Sequence, residues 1–127
     1  MRVLLGALLS LVTFAASAQD WPARPVTMIV PYAAGGPVDT VGRIMAQGLS
    51  EVLGQQVVVE NVGGAGGSTG MTRAAQATPD GYTLLLGHTG TISINPSLYA
   101  HAGYDPRKDF APIGLVASMP VALLALS

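Results

Sequence analysis

The turn between an apolar strand and the start of a helix constrains this chain most. Residues 29–39 read Ile-Val-Pro-Tyr-Ala-Ala-Gly-Gly-Pro-Val-Asp. The apolar run before the turn predicts a strand buried on both faces, while Pro37 and Asp39 indicate the first turn of a helix. The two glycines allow a tight turn that exposes backbone N–H groups, and the first N–H groups of a helix have no internal partner. The segment therefore predicts an α/β fold with a turn suited to an anion.

Strands and helices alternate along the rest of the chain. Apolar or β-branched runs predict strands, and apolar residues three or four apart predict helices. The predicted elements are a strand at 26–31; a helix from Pro37 to a stop at Gly54, with a buried stripe at Val38, Val41, Met45, Leu49 and Val52; a strand at 57–62; a helix at 68–77 capped by Ser68 or Thr69; a strand at 82–86; a short helix capped by Asn95; and strands at 113–117 and 121–126.

This alternation predicts a parallel sheet with flanking helices. In such sheets, ligands bind beyond the carboxyl ends of the strands. Loops at residues 32–36, 63–67 and 87–91 follow three successive predicted strands. We therefore expect these three loops to meet at one edge of the sheet.

The first 18 residues are typical of a secretory signal peptide. Arg2 precedes the apolar run at residues 3–15, and Ala16-Ser17-Ala18 fits the small-x-small cleavage rule. The run is shorter than the roughly 20 residues needed to span a bilayer. We expect export, with a mature product that begins at Gln19 or Asp20.

Composition excludes several classes of function. The chain has no cysteine, which removes thiol nucleophiles, disulfides and cysteine-based metal sites. Six basic residues against seven acidic ones leave no positive face for nucleic acid. His88 and His101 are isolated, with no acidic cluster nearby, so we expect no metal site and no cofactor.

Seven blocks of the sequence, in order, resemble one family. These blocks are Trp-Pro-Ala-Arg-Pro-Val-Thr at 21–27, Pro-Tyr-Ala-Ala-Gly-Gly-Pro-Val-Asp at 31–39, Gly-Gln-Gln-Val-Val-Val-Glu-Asn at 54–61, Gly-Ala-Gly-Gly at 64–67, Pro-Asp-Gly-Tyr-Thr-Leu-Leu at 79–85, Asn-Pro-Ser-Leu-Tyr at 95–99 and Tyr-Asp-Pro-Arg-Lys-Asp-Phe-Ala-Pro-Ile at 104–113. Together they resemble the extracytoplasmic solute receptors of tripartite tricarboxylate transporters, the Bug family. The resemblance spans the whole predicted mature chain.

The resemblance implies a periplasmic binding protein with two α/β lobes that close over a small organic acid, such as a di- or tricarboxylate. It implies no enzymatic activity, and it implies delivery of the acid to the membrane subunits of the transporter. Two loops of the first lobe would hold the carboxylate, largely through backbone groups and ordered water. The matching ligand-binding residues are Tyr32, Ala33, Ala34, Gly35, Gly36, Asp39, His88, Thr89, Gly90 and Thr91.

On the same resemblance, residues 19–127 are part of the first lobe, and the second lobe is missing. An open lobe leaves a carboxylate hydrated. We therefore expect this chain to bind no tighter than about millimolar.

Two alternatives stay open. Residues 66–70 match Gly-x-Ser-x-Gly, the nucleophile elbow of serine hydrolases, and Asp80 and His88 follow Ser68 in triad order. An elbow requires the strand to run almost directly into the serine, whereas glycines intervene here, and a helix cap also explains Ser68. The second alternative is a fragment that binds no ligand, in which Asp39 only stabilises its helix and the glycines only form turns.

Overall fold

The computed structural model describes residues 21–119, in which strands and helices alternate. Each of the three strands predicted before residue 90 is found, one or two residues shorter than expected. The elements are β1 (Val26–Val30), α1 (Pro37–Leu53), β2 (Val57–Asn61), a 3₁₀ turn (Ala65–Gly67), α2 (Ser68–Ala75), β3 (Thr83–Leu85), a π-helical turn (Gly90–Ile94) and α3 (Asn95–Leu98). None of the helices in this part of the chain is long and apolar enough to cross a membrane.

Strand β1 is the centre of a parallel sheet with the order β2-β1-β3. Met28 lies opposite Val59 on one side and Leu84 on the other. Helices α1 and α2 connect the strands, as parallel pairs require. The predicted parallel α/β sheet is confirmed, and the carboxyl ends of all three strands lie at one edge.

Helices pack on both faces of the sheet. On one face Val26, Met28 and Val57 form a core with Ala46 of α1. The other face carries α2, whose Met71 is fully buried and which contacts both β1 and β3. Residues covered on both faces explain why β1 is an almost continuous apolar run.

Helix α1 ends as predicted, and its predicted stripe is confirmed only in part: Met45 and Leu49 pack against the core of the sheet, but Val52 does not. Gly54 terminates it in the left-handed conformation, with its N–H donated to the Ser50 carbonyl. The buried residues are Asp39, Gly42 and Ala46, whereas the predicted stripe is half-buried and its Val52 is 84% exposed. A Cβ on Gly42 would lie only 2.8 Å from a Val30 methyl carbon. Small residues therefore face the sheet because they allow closer contact, and the prediction for Val52 is wrong.

Two predicted caps are also wrong. The residue before α2 is Gly67, in the left-handed conformation, so Ser68 is the first helical residue and not the cap; the helix ends at Ala75. Asn95 is likewise inside α3, directly after the π-helical turn. Both polar side chains are buried and make tertiary hydrogen bonds instead.

The strand predicted at residues 113–117 is absent from the described structure. This segment has no ladder partner within residues 21–119, and Ile113 and Leu115 are 88% and 90% exposed. A β-branched, apolar sequence forms a strand only where a neighbouring strand accepts its hydrogen bonds. The strand predicted at 121–126 and the signal peptide predicted at 1–18 lie outside the described residues.

Candidate functional site

Three loops meet at the carboxyl edge of the sheet, as the topology predicts. The first loop (residues 32–36) follows β1, the second loop (residues 63–67) follows β2, and the third loop (residues 87–91) follows β3. The Tyr32 hydroxyl lies 3.3 Å from Nδ1 of His88, and the two rings meet edge to face at 5.6 Å. A Cβ on Gly67 would lie 3.4 Å from the Tyr32 ring and 2.5 Å from a Thr91 carbon. Only glycine at position 67 therefore lets the second loop pass between the other two loops.

The first loop is held by the carboxylate of Asp39. One carboxylate oxygen accepts hydrogen bonds from the Gly35 N–H at 2.8 Å and from Nε of Arg43 at 2.9 Å. The other oxygen accepts from the side-chain amide of Asn61 at 2.9 Å. The same Asn61 amide also donates to the Tyr32 carbonyl at 3.1 Å. Asp39 therefore anchors the loop to its helix and to the end of β2.

This anchor is ionised at neutral pH. The side-chain hydrogen bond from Arg43, followed by those from the Gly35 backbone and the Asn61 side chain, lowers the pKa of Asp39 to about 2. Asp39 is buried, so the carboxylate faces the loop and not the solvent. Asp39 lies in the first turn of α1, where an acid favours the helix, and it also orders the Gly35 amide of the loop.

The first loop leaves backbone donors at the edge. Ala33, Ala34 and Gly35 are exposed. The residue before α1 is Gly36, so no side chain caps the first N–H groups of the helix. Within residues 21–119, the N–H groups of Ala33 and Ala34 have no protein acceptor. Together with the helix start, whose first N–H groups have no intrahelical partner, these amides form a concentration of hydrogen-bond donors at the carboxyl edge of the sheet.

The third loop is held by neutral groups. Thr91 is fully buried, and its hydroxyl accepts the His88 N–H at 3.1 Å and donates to the His88 carbonyl at 3.0 Å. The Gly90 N–H donates to Nδ1 of His88 at 3.1 Å. The Tyr104 hydroxyl donates to the Thr91 carbonyl. The Thr91 hydroxyl is thus occupied inside the loop, whereas His88 and Thr89 are exposed.

The second loop is joined to α3 by Asn95. Its side-chain amide donates to the Gly66 carbonyl at 2.9 Å and to the Ser68 hydroxyl at 3.1 Å. Sequence reasoning missed Asn61 and Asn95 in this region, as well as Arg43 and Tyr104. Asn61 carried a usable signal, since it is a polar residue at the carboxyl end of a predicted strand. Asn95 did not, because its position suggested a helix cap.

The structure gives the serine hydrolase alternative no triad. Ser68 is buried, begins α2 with ordinary helical angles and has its hydroxyl bonded by Asn95. Asp80 precedes β3 and pairs with Arg24 at 3.0 Å, while His88 follows β3 at the opposite end of the strand. Residues 21–119 also contain no group of three or more acidic or histidine side chains that could hold a metal ion.

Comparison with known proteins agrees with this geometry. The sequence profile described as "Tripartite tricarboxylate transporter family receptor" matches residues 41–127. The chain belongs to this receptor family. A UPF0065 protein in the TAR-I ttuE-ttuC' intergenic region of Agrobacterium vitis is 50% identical over 116 residues, which cover 91% of this chain and 33% of that protein.

Two solved structures have the same fold over this part. The periplasmic binding protein BugD is 54% identical, with a TM-score of 0.71 over 74% of this chain and 31% of its own. MatC from Rhodopseudomonas palustris, solved with bound malate, is 46% identical, with a TM-score of 0.72 over 75% of this chain and 32% of its own. The chain thus spans about a third of the length of the receptors it matches. The described residues correspond to part of the first lobe.

Proposed function

We propose that this chain is the amino-terminal part of a periplasmic receptor that binds a small organic acid and delivers it to the membrane subunits of a tripartite transporter. Residues 1–18 act as the signal peptide and residues 19–127 as part of the first lobe. The receptor carries out no chemistry on its ligand. The observation that carries the proposal is the pair of adjoining loops, the first and the third, at the carboxyl edge of the sheet.

The donors at this edge suit a carboxylate. The exposed amides of Ala33 and Ala34 and the start of α1 offer hydrogen bonds and a favourable dipole without a fixed positive charge. The charge of Arg43 does not change this, because its guanidinium is paired with Asp39. MatC, a similar receptor, was solved with malate. We therefore propose a dicarboxylate of about this size as the ligand, bound by residues 32–36 and 88–91.

An NMR titration of the isotope-labelled chain with malate tests this proposal and detects millimolar binding. Malate should shift the amide resonances of the first and third loops, while dimethyl malate, the uncharged diester, should not. Gly35 has a φ of +84°, so Gly35→Ala strains the loop and should weaken binding at least about fivefold. Gly48→Ala is the matched control, because a Cβ there meets open space.

Two results would contradict the proposal. One is the same response to the acid and to the diester; the other is a set of shifts confined to the groove of about 670 Å³ beside α2 and His101. A chain that responds to no acid would favour the non-binding fragment.

Export has its own test. N-terminal sequencing of the exported product should begin at Gln19 or Asp20. A membrane-bound product that keeps Met1 would contradict the signal peptide.

A further inference from the structure

His88 stands out in the third loop because one of its ring nitrogens is committed to the protein. Nδ1 lies 3.1 Å from the Gly90 N–H and 3.3 Å from the Tyr32 hydroxyl. A backbone N–H can only donate a hydrogen bond, so Nδ1 must be the acceptor and carries no proton. The Tyr32 hydroxyl, the more distant neighbour of Nδ1, can contact this nitrogen only as a donor.

The state of Tyr32 agrees with this assignment. Burial, and secondarily the nearby Tyr104, raise the pKa of Tyr32 above its usual value. The phenol therefore keeps its proton at neutral pH and remains a donor. The Gly90 N–H thus fixes which nitrogen of His88 is bare, and the protonated Tyr32 hydroxyl is compatible with that assignment.

The other ring nitrogen is free to act outside the loop. A neutral imidazole carries one proton, so a bare Nδ1 places that proton on Nε2. Within residues 21–119, Nε2 has no protein acceptor, and the side chain is exposed at the edge where the first and third loops meet. His88 therefore presents an unused N–H donor at the edge where the Tyr32 side chain of the first loop reaches the third loop.

We infer that His88 is a specificity-determining residue whose Nε2–H donates a hydrogen bond to an oxygen of the bound organic acid, while its Nδ1 holds the third loop. The inference rests on the proposed function and assigns a task to each nitrogen. Unlike the backbone amides, which every sequence offers, this donor depends on the residue at position 88. The oxygen it binds belongs to a carboxylate or to a neighbouring hydroxyl.

Two substitutions separate the two nitrogens. His88→Asn keeps an acceptor for the Gly90 N–H, since asparagine side chains commonly accept from the backbone two residues ahead in turns. It loses the donor at the position of Nε2. His88→Gln places an amide near the position of Nε2 but loses the acceptor for Gly90. In titrations followed by NMR, H88N should bind malate about tenfold or more weakly, whereas H88Q should remain within about threefold of the unmodified chain.

Titration with succinate, which is malate without the hydroxyl, shows whether Nε2–H donates to a carboxylate oxygen or to the hydroxyl oxygen of malate. An equal loss for both acids in H88N identifies a carboxylate oxygen as the acceptor, and a loss for malate alone identifies the hydroxyl. Equal binding of both acids by H88N and the unmodified chain would overturn the inference. If the unmodified chain binds neither acid, the proposed function and this inference fall together; if it binds and H88N is unchanged, only the inference fails.

The tautomer is measured without a ligand. Nitrogen NMR of the histidine-labelled chain above pH 8 should show His88 with its proton on Nε2 and an unprotonated Nδ1. His101→Asn removes the signals of the only other histidine and serves as the matched control. Neutral His88 protonated at Nδ1 would overturn the assignment of both nitrogens.

Discussion

The first and third loops leave neighbouring strands at the same edge of the sheet, but different chemistry holds them. A buried, ionised carboxylate, Asp39, orders the first loop through hydrogen bonds from Gly35 and Asn61. The third loop is ordered by neutral groups, the Thr91 hydroxyl and the His88 ring. A carboxylate satisfied by three donors keeps its charge in all but strongly acidic solution. The difference means that a substitution can remove the anchor of one loop while the anchor of the other stays in place.

The largest effect should come from a substitution beneath the start of the first loop. A Cβ on Gly70 would lie 2.6 Å from the Val62 carbonyl oxygen and 2.7 Å from Cα of Pro31. Because these are backbone atoms, α2 would have to move away from β1, and Gly70→Ala should lower the free energy of unfolding by about 3 kcal/mol. Urea denaturation measures the change.

Gly48→Ala is the control for that substitution. It makes the same change in an open part of α1 and should raise stability by up to about 1 kcal/mol. A Gly70→Ala chain that is as stable as the Gly48→Ala chain would show that the close contact at Gly70 does not limit the packing of α2.

A smaller effect, confined to the third loop, should follow from Thr91→Val. Valine has the same shape but lacks the hydroxyl that bonds both backbone groups of His88, so the expected loss is about 2 kcal/mol. Hydrogen exchange at the His88 amide should accelerate, while exchange at the Gly35 amide should stay unchanged. Thr91→Ser keeps the hydroxyl and should keep the His88 amide protected. Equal acceleration in both loops would mean that their anchors are coupled.

The smallest effect should be that of pH on the first loop, because the stability that Asp39 contributes changes only in acid. Hydrogen bonds, foremost from Arg43, lower the folded-state pKa of Asp39 from an ordinary 3.8 to about 2. A depressed pKa contributes stability that is fully present above about pH 4 and is lost as the pH falls through about 2. The Gly35 amide resonance should therefore titrate near pH 2 and stay constant from pH 5 to 8. Asp39→Asn should abolish that titration, and a midpoint near 4 would contradict the anchor.

Local sequence signals predicted most of the edge. The apolar run at 26–30, the glycines of the first loop and Pro37 each act on their neighbours, so strand, turn and helix start were all found. The joining of the first and third loops followed from the rule that parallel strands end at the same edge. The prediction for Thr91 was less complete, because its hydroxyl faces inward to the backbone of His88. The position of a residue in a loop does not reveal whether its polar group bonds the backbone of the loop or is free for a ligand.

Short stretches of sequence were enough to predict the strands and helices up to α3, the parallel sheet and the family, because periodicity, turn residues and ordered motifs act locally. Which side chains anchor the loops depends on contacts between elements that are far apart in the chain. Asn61 reaches Asp39 across 22 residues, and Asn95 reaches Gly66 across 29. The tertiary structure also decided that α1 turns Gly42 to the sheet, because close contact selects for the smallest side chain and not for the most apolar one. Such contacts depend on how elements approach one another in space, and a pattern along one helix or strand carries no record of that approach.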